Sequence, residues 1–460
     1  MSTVLKICLA MLLIISSIYA QEERPRKGKQ RKDALIQERD RSHSVREVVQ
    51  SVGQLEEKEI SEVDARKNMF NEGTVSGQLK TMYGIHSVDN HDNPYATAVG
   101  ATLKYELAEY KGFNAGAAFS TTHDVNSLTA DADKHNYYLS TLEGSYTELT
   151  EAYINYKYKD LNLRGGRQIV DTPLADSDDV RMISNTFEAY IATLEFNRWT
   201  FMAGNLKQWQ GSDTWAQRDS EGWQSTGEDG AYFGGISLSK VLLDLNLWYY
   251  DFSKDTDADS STGNIANQSV YLDASLHNKF QEDFFLHTNL QYLHQSESDS
   301  STIEANVYGA LVEFVAHDFG ISVAYNKAEK QEGKGSFSGY GGGTLYTNMD
   351  NMIIDNITLD REVEAIVAGV TYAYDNFGFL YAYGDFNGKE DSSGQKEHVV
   401  EQNIGMEYAV SEALVLAAIC VINDNKEDTG SNAYFVDEIS GGSAAYGDFV
   451  NYRIWLTYNF

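Results

Sequence analysis

From Phe70 to Phe460 the chain alternates apolar and polar residues in runs of about ten, each run closed by turn residues. In 95–110, Val99, Ala101, Leu103 and Tyr105 share one face, and Thr102, Lys104 and Glu106 share the other. Residues 243–254 set Leu245, Leu247 and Tyr249 against Asp244, Asn246 and Trp248. Residues 284–297 set Leu286, Leu290 and Tyr292 against His287, Asn289 and Gln291. A period of two is a β-strand with unlike faces. The last run puts Tyr452, Ile454, Leu456, Tyr458 and Phe460 opposite Asn451, Arg453, Thr457 and Asn459. Such a strand suits a barrel wall with lipid on one side and water on the other.

The connections alternate in length. Tight turns are expected at Tyr110–Gly112, Lys159–Asp160, Asn197–Trp199, Leu242–Leu243, Gln281–Asp283, His317–Gly320, Asn376–Gly378 and Ser411–Ala413. Long polar connections are expected at 89–94, 123–147, 170–183, 211–229, 255–266, 298–304, 332–362, 389–397 and 426–446. Eight short and nine long connections predict an all-β, transmembrane antiparallel β-barrel of about 18 strands, with periplasmic turns and extracellular loops. A barrel of that size encloses an aqueous channel. A soluble sandwich also alternates, but it has no need of this regular length asymmetry.

Composition narrows the picture. Beyond the N-terminus no stretch offers the ~20 apolar residues of a membrane helix, so a spanning chain must be a barrel. The 30 Tyr suit interfacial girdles, and the 3 Pro suit unbroken ladders. Residues 1–20, with Lys6 ahead of an apolar run and Ala20 at its end, read as a signal peptide. Residues 21–69 read as a charged periplasmic leader, partly helical or disordered. Residues 70–460 read as the barrel. The net charge is −32, and after Lys67 the chain holds 23 basic and 57 acidic residues. A barrel this acidic disfavours nucleic acid as a partner. It also suits an outer face bridged to lipopolysaccharide by divalent cations.

Little else carries chemistry. Cys8 lies in the signal segment, so Cys420 is the one cysteine left and no internal disulfide forms. The acidic runs at 255–260 and 424–428 lack the EF-hand spacing. His277 and His287 face inward without a GxSxG nucleophile, and read as polar fillers of the lumen. No cofactor, metal or catalytic set is expected. The connection 332–362 combines a Gly339–Gly343 run with apolar Met349, Met352, Ile353 and Ile354, and is expected to fold into the barrel mouth.

The third long connection is the candidate constriction. Arg164 to Glu188 reads RGGRQIVDTPLADSDDVRMISNTFE. It carries Asp171, Asp176, Asp178 and Asp179 beside Arg164, Arg167 and Arg181, and Pro173 stiffens it. Charges of both signs on a loop folded into a pore set a transverse field across a passing solute. The apolar Met182 and Ile183 favour an inward fold. The stretch GRQIVDTPLADSDDVRMISNTFEAY resembles the third-loop region of the OprD-like (Opr family) porins of Gram-negative outer membranes, and Tyr95–Phe119 is similar to the same family. The resemblance implies an 18-stranded outer-membrane porin narrowed by its third loop, with a basic ladder facing an acidic pocket. Within the matching motif, Arg164, Arg167, Arg181, Asp171, Asp178 and Asp179 would line the constriction. Parity adds Lys207 and Arg453. It also makes Arg164 lumenal, and puts Arg167 on the other face unless Gly165–Gly166 bulges.

The expected function is passive diffusion of ions and small polar solutes with mild cation preference. The expected partners are outer-membrane lipid, the solutes, and the barrel assembly machinery, which reads the strand ending at Phe460. Monomer and homotrimer stay open. The rival readings are a surface adhesin or structural barrel, and a barrel-embedded hydrolase.

Overall fold

The structure, a computed structural model, describes residues 68–88, 93–129, 145–177, 181–210, 223–254, 264–281, 283–341, 343–427, 436–437, 442–443 and 448–460. The expected signal peptide and the expected leader up to residue 67 lie outside these residues, as do Asp178 and Asp179.

Eighteen long strands build one closed wall. They are β1 (Thr74–Val88), β2 (Tyr95–Glu106), β3 (Phe113–Asp124), β4 (Ser145–Tyr158), β5 (Leu161–Gln168) and β6 (Thr186–Phe196). Next come β7 (Trp199–Gln210), β8 (Ala231–Ser239), β9 (Leu243–Phe252), β10 (Asn267–Gln281), β11 (Phe284–Glu297) and β12 (Ala305–Ala316). The ring is completed by β13 (Phe319–Ala328), β14 (Val363–Tyr374), β15 (Phe377–Gly388), β16 (Glu397–Ala409), β17 (Leu414–Asn425) and β18 (Phe449–Asn459). A two-residue piece, Gln224–Ser225, pairs with the end of β7. Every neighbouring pair is antiparallel, and β18 pairs back with β1 so that Leu79 faces Tyr458 and Tyr83 faces Ile454. Gly77 and Phe460 exchange both backbone hydrogen bonds, at 2.9 and 3.0 Å, and seal the seam. Closure leaves no exposed edge, which a lipid-immersed backbone requires.

All eight expected tight turns are present; the first connection is longer, at 107–112, and the ends of the others shift by no more than two residues. Lys111, Lys159, Asn197, His317 and Asp375 take left-handed φ between 51° and 56° inside five of them. Tight hairpin turns use this region because it matches the twist of the flanking strands.

The two faces sort as the alternation predicts. Val99, Leu103, Ile154, Leu163, Leu194, Leu247, Leu272, Leu290, Val323, Ile366 and Ile454 are exposed on the outside. Their band is flanked at the short-turn end by Phe113, Tyr158, Phe196, Trp199, Phe319, Tyr374, Phe377 and Phe460. Toward the loop end stand Tyr83, Tyr95, Tyr190, Tyr232, Tyr308 and Tyr452. An apolar belt between two aromatic girdles is the surface of an outer-membrane barrel. Among the described residues no helix is long and apolar enough to cross a membrane; this wall crosses with strands.

Three bulges interrupt the register. Ala118 pairs with Glu151 and Phe119 with Leu149, so Thr150 is extra on β4. Glu188 pairs with Gln208 and Ala189 with Leu206, so Lys207 is extra on β7. The third falls between Lys279 and Gln281 on β10. No bulge forms at Gly165–Gly166, because β5 keeps continuous register with β4 from Leu161 to Arg167. Instead Gly166 takes φ +117°, where an added Cβ would stand 2.2 Å from the Ala152 carbonyl oxygen.

Candidate functional site

Two long connections fold inside the barrel and meet there. The third one leaves β5 and makes a small hairpin in which Asp171–Thr172 pairs with Ala175–Asp176 around Pro173. Thr172 Oγ1 donates to the Ala175 carbonyl at 3.0 Å, and Ser177 N–H donates to the Val170 carbonyl at 2.8 Å. Leu174 and Ala175 are fully buried. Leu174 N–H donates to the hydroxyl of Tyr250, an inward residue of β9, at 3.2 Å. The loop then resumes at Arg181, whose carbonyl accepts from Lys80 Nζ on β1. Met182 and Ile183 are buried against Met82, Ala96, Ala98 and Tyr146, next to Trp455. These partners are inward residues of β1, β2, β4 and β18. The described residues of the loop therefore touch β9 on one side and the β18–β1–β2 wall on the other.

The connection 332–362 occupies the opposite part of the lumen. Gln291 of β11 donates to the Thr344 carbonyl at 3.2 Å and accepts from Tyr346 N–H at 2.9 Å. Asn326 of β13 accepts from Thr347. Glu401 of β16 accepts from the backbone N–H of Asn351 and Met352 at 3.0 and 2.8 Å. Arg453 of β18 pairs with Asp350, and both side chains are 5% exposed. Met349, Met352, Ile354 and Ile357 are buried in the same packing. Asp355 accepts from Ser336 and Ser338. Burial raises its pKa above the ordinary carboxylate range, and these hydrogen bonds oppose the rise.

The two inner loops join through Tyr340. Its N–H donates to the Leu174 carbonyl, and its carbonyl accepts from Asp176 N–H, both at 3.0 Å. Its ring packs on Trp209 at 5.0 Å and Phe252 at 5.9 Å. The approach needs glycine: Gly341 takes φ +83°, and a Cβ there would stand 1.9 Å from the Asp176 carbonyl oxygen. Gly341→Ala is therefore expected to loosen this junction, costing about 1–3 kcal/mol of local strain. Limited proteolysis of the folded barrel would reveal it as faster cleavage in 332–362.

The charges gather beside the third loop. Arg164 lies over the Tyr153 ring at 4.4 Å and donates from Nε to Asn155 at 3.2 Å. Tyr153 donates to Glu106 at 2.6 Å, and Lys104 pairs with Glu151 at 2.8 Å. Arg167 pairs with Glu148 at 3.1 Å, stands 3.9 Å from Glu188 and covers the Trp223 ring at 4.4 Å. The left-handed turn at Gly166 precedes Arg167 and directs it to Glu148. Arg164 and Arg167 thus share the β4–β5 side of the lumen, and Asp171 and Asp176 lie on the backbone hairpin of the loop that leaves β5. Arg181 stands apart from them, its carbonyl held by Lys80 on β1. Lys207 and Arg453 stand apart from that group. Lys207 donates to the Asp229 carbonyl at 2.8 Å and lies over the outward ring of Tyr232. Parity misplaces it because it is the extra residue of a bulge. Arg453 is inward, but serves the second inner loop.

Sequence reasoning missed Lys80, Glu148, Glu151, Glu188 and Asp350. Lys80 was findable, since it alternates with the outward Leu79 and Thr81. Glu148 was not, because the Thr150 bulge shifts parity along β4.

A clasp of carboxylates closes the outer rim. Asp360 accepts from Ser392 N–H at 2.8 Å and Gly333 N–H at 3.0 Å. Asp391 accepts from Ser393 Oγ at 2.7 Å and Gln395 N–H at 2.9 Å, and pairs with Arg361 at 3.1 Å. Bonds from Ser392 and from Ser393, respectively, hold both carboxyls below the ordinary range. A lowered folded-state pKa contributes stability above the unfolded value of about 3.9, and loses it as pH falls through the folded value. Hydrogen exchange at 389–396 is accordingly expected to stay slow at neutral pH and to rise under acid, below about pH 4.

No family sequence model matches the chain, and no curated protein is similar to it in sequence. Solved structures are similar in shape. OccAB4 of Acinetobacter baumannii aligns with a TM-score of 0.67 at 14% identity, covering 84% of this chain and 98% of its own. OpdK of Pseudomonas aeruginosa, solved with vanillate, aligns at 0.65 and 14%, covering 85% and 99%. A BenF-like porin of Pseudomonas fluorescens Pf-5 aligns at 0.69 and 13%, covering 85% and 99%. The chain has the fold of these outer-membrane porins, a closed antiparallel barrel of 18 strands.

Proposed function

We propose that this protein is a passive diffusion porin whose aqueous path runs past the third loop. One observation carries the reading: a loop with fixed contacts on both sides of the lumen lies beside charges of both signs. A solute squeezed between them meets a transverse field, which filters by size and charge. Pairing decides the sign of selectivity. Arg164 and Arg167 already engage Asn155, Glu148 and an aromatic face each. Their charge is thus largely answered within the wall, while the barrel as a whole is strongly acidic. Vanillate, the compound held by OpdK, carries a carboxylate; this lumen favours cations instead. Outer-membrane lipid surrounds the belt, and the aromatic outer face of β18 is the recognition element for barrel assembly.

Planar-bilayer conductance of the purified barrel under a salt gradient tests this. Stepwise open currents with a cation-side reversal potential are expected. Glu148→Gln with Glu188→Gln should move that potential toward anions. Folded protein without conductance would overturn the channel and favour an adhesin or structural barrel.

A further inference from the structure

At the short-turn end of the lumen, β9, β10 and β11 bring together a set of side chains that diffusion does not use. His277 and His287 are direct register partners on β10 and β11. Their Nδ1 atoms lie 2.8 Å apart. His277 Nε2 lies 2.8 Å from Asp244 Oδ2 on β9. An acceptor carboxylate there places the His277 proton on Nε2 and leaves its Nδ1 with a lone pair. His287 Nδ1–H must then donate to it. That leaves His287 Nε2 as a bare acceptor, and it is buried with no hydrogen-bond partner among the described residues. His287 is 6% exposed, while the His277 side chain is about one-third open to the lumen, at 34%.

We propose that His277 and His287 form a lumenal binding site for a divalent transition-metal ion of the Zn²⁺, Ni²⁺ or Cu²⁺ class. The ion replaces the shared proton between the two Nδ1 atoms. The His287 proton moves to Nε2, so no proton is lost, and water fills the remaining positions. Metal–nitrogen bonds of about 2.1 Å at a tetrahedral angle ask the two nitrogens to separate by about half an ångström more than they do now. Side-chain torsions on two neighbouring strands supply that. Asp244 acts as the outer carboxylate that fixes the His277 tautomer and raises its basicity. The surroundings suit a dication. Asp273 is on the same strand as His277, held by Asn246 at 2.9 Å. Glu313 is the register partner of His287 on β12. The cation on this part of β10 is Lys279, drawn off over the Phe285 ring at 5.4 Å. Among the described residues no group of three or more His, Cys, Asp or Glu converges on one metal position. The protein thus supplies two ligands, which gives exchangeable binding from lumen water.

Isothermal titration of Zn²⁺ and Ni²⁺ into the detergent-solubilised barrel tests this without any recourse to conduction. Its fold is checked by heat-modifiable gel migration. One saturable site is expected that Mg²⁺ at equal concentration leaves filled, because imidazole selects the softer ions. His277→Ala and His287→Ala should each weaken it by about 100-fold or more, and Asp244→Asn by about tenfold. His287→Gln is the fallback if the alanine variant does not fold. No saturable site, or a site of equal affinity in the folded histidine variants, overturns the proposal and assigns any uptake to acidic surface loops.

Discussion

Replacing residues 170–183 with a short Gly-Ser linker is expected to raise single-channel conductance several-fold and to flatten charge selectivity, with the barrel still folded. The wall ladder closes without this loop, since β5 and β6 pair directly from Leu161 to Gln168. What the loop adds is inside: the hairpin on Tyr250, the Lys80 contact at Arg181, and Met182 with Ile183 on the β1–β2 face. Removing it exposes Met82, Ala98 and Tyr146 to water and frees Tyr340 from Leu174. Some stability is lost, but the ladder is not. Bilayer recordings beside a thermal melt of the same preparation separate the two effects. Unchanged conductance in a folded variant would place the narrow part of the path elsewhere.

Arg453→Ala should have the largest effect of any single substitution. The Arg453–Asp350 pair is nearly sealed from solvent, and removing the guanidinium leaves a buried carboxylate unanswered. Breaking a buried pair from one side costs about 3–5 kcal/mol. Glu401 accepts from the next two backbone N–H groups of the same loop, so displacing the unpaired Asp350 also strains that tether. The loop should detach, and conductance should become larger and noisier. Replacing both partners, as Arg453→Met with Asp350→Leu, should cost far less, because no charge is then left behind. The check is the heat-modifiability midpoint of the three proteins. Equal midpoints for the single and double variants would show that packing, not charge, holds the loop.

The pattern was legible wherever it depended on neighbours in sequence. The outward set of β9 and the inward set of β11 both appear where alternation puts them. The burial of Met182 and Ile183 was legible too, since an apolar pair on an otherwise acidic stretch needs cover. The meeting of that loop with Tyr340 was not, since nothing in Gly339–Gly343 names its partner.

By itself the sequence determined the strand number, the lipid and lumen faces, the direction of the loops and the acidic field. Each follows from a period of two, a turn residue or a charge count, and these are local properties. Tertiary structure alone decided which lumenal groups meet. Arg453 answers Asp350 across 103 positions, and His277 meets His287 across 10. The first pairing depends on an inner loop reaching the far wall, and the second on the bulge between Lys279 and Gln281, where one extra residue changes the face of everything counted beyond it.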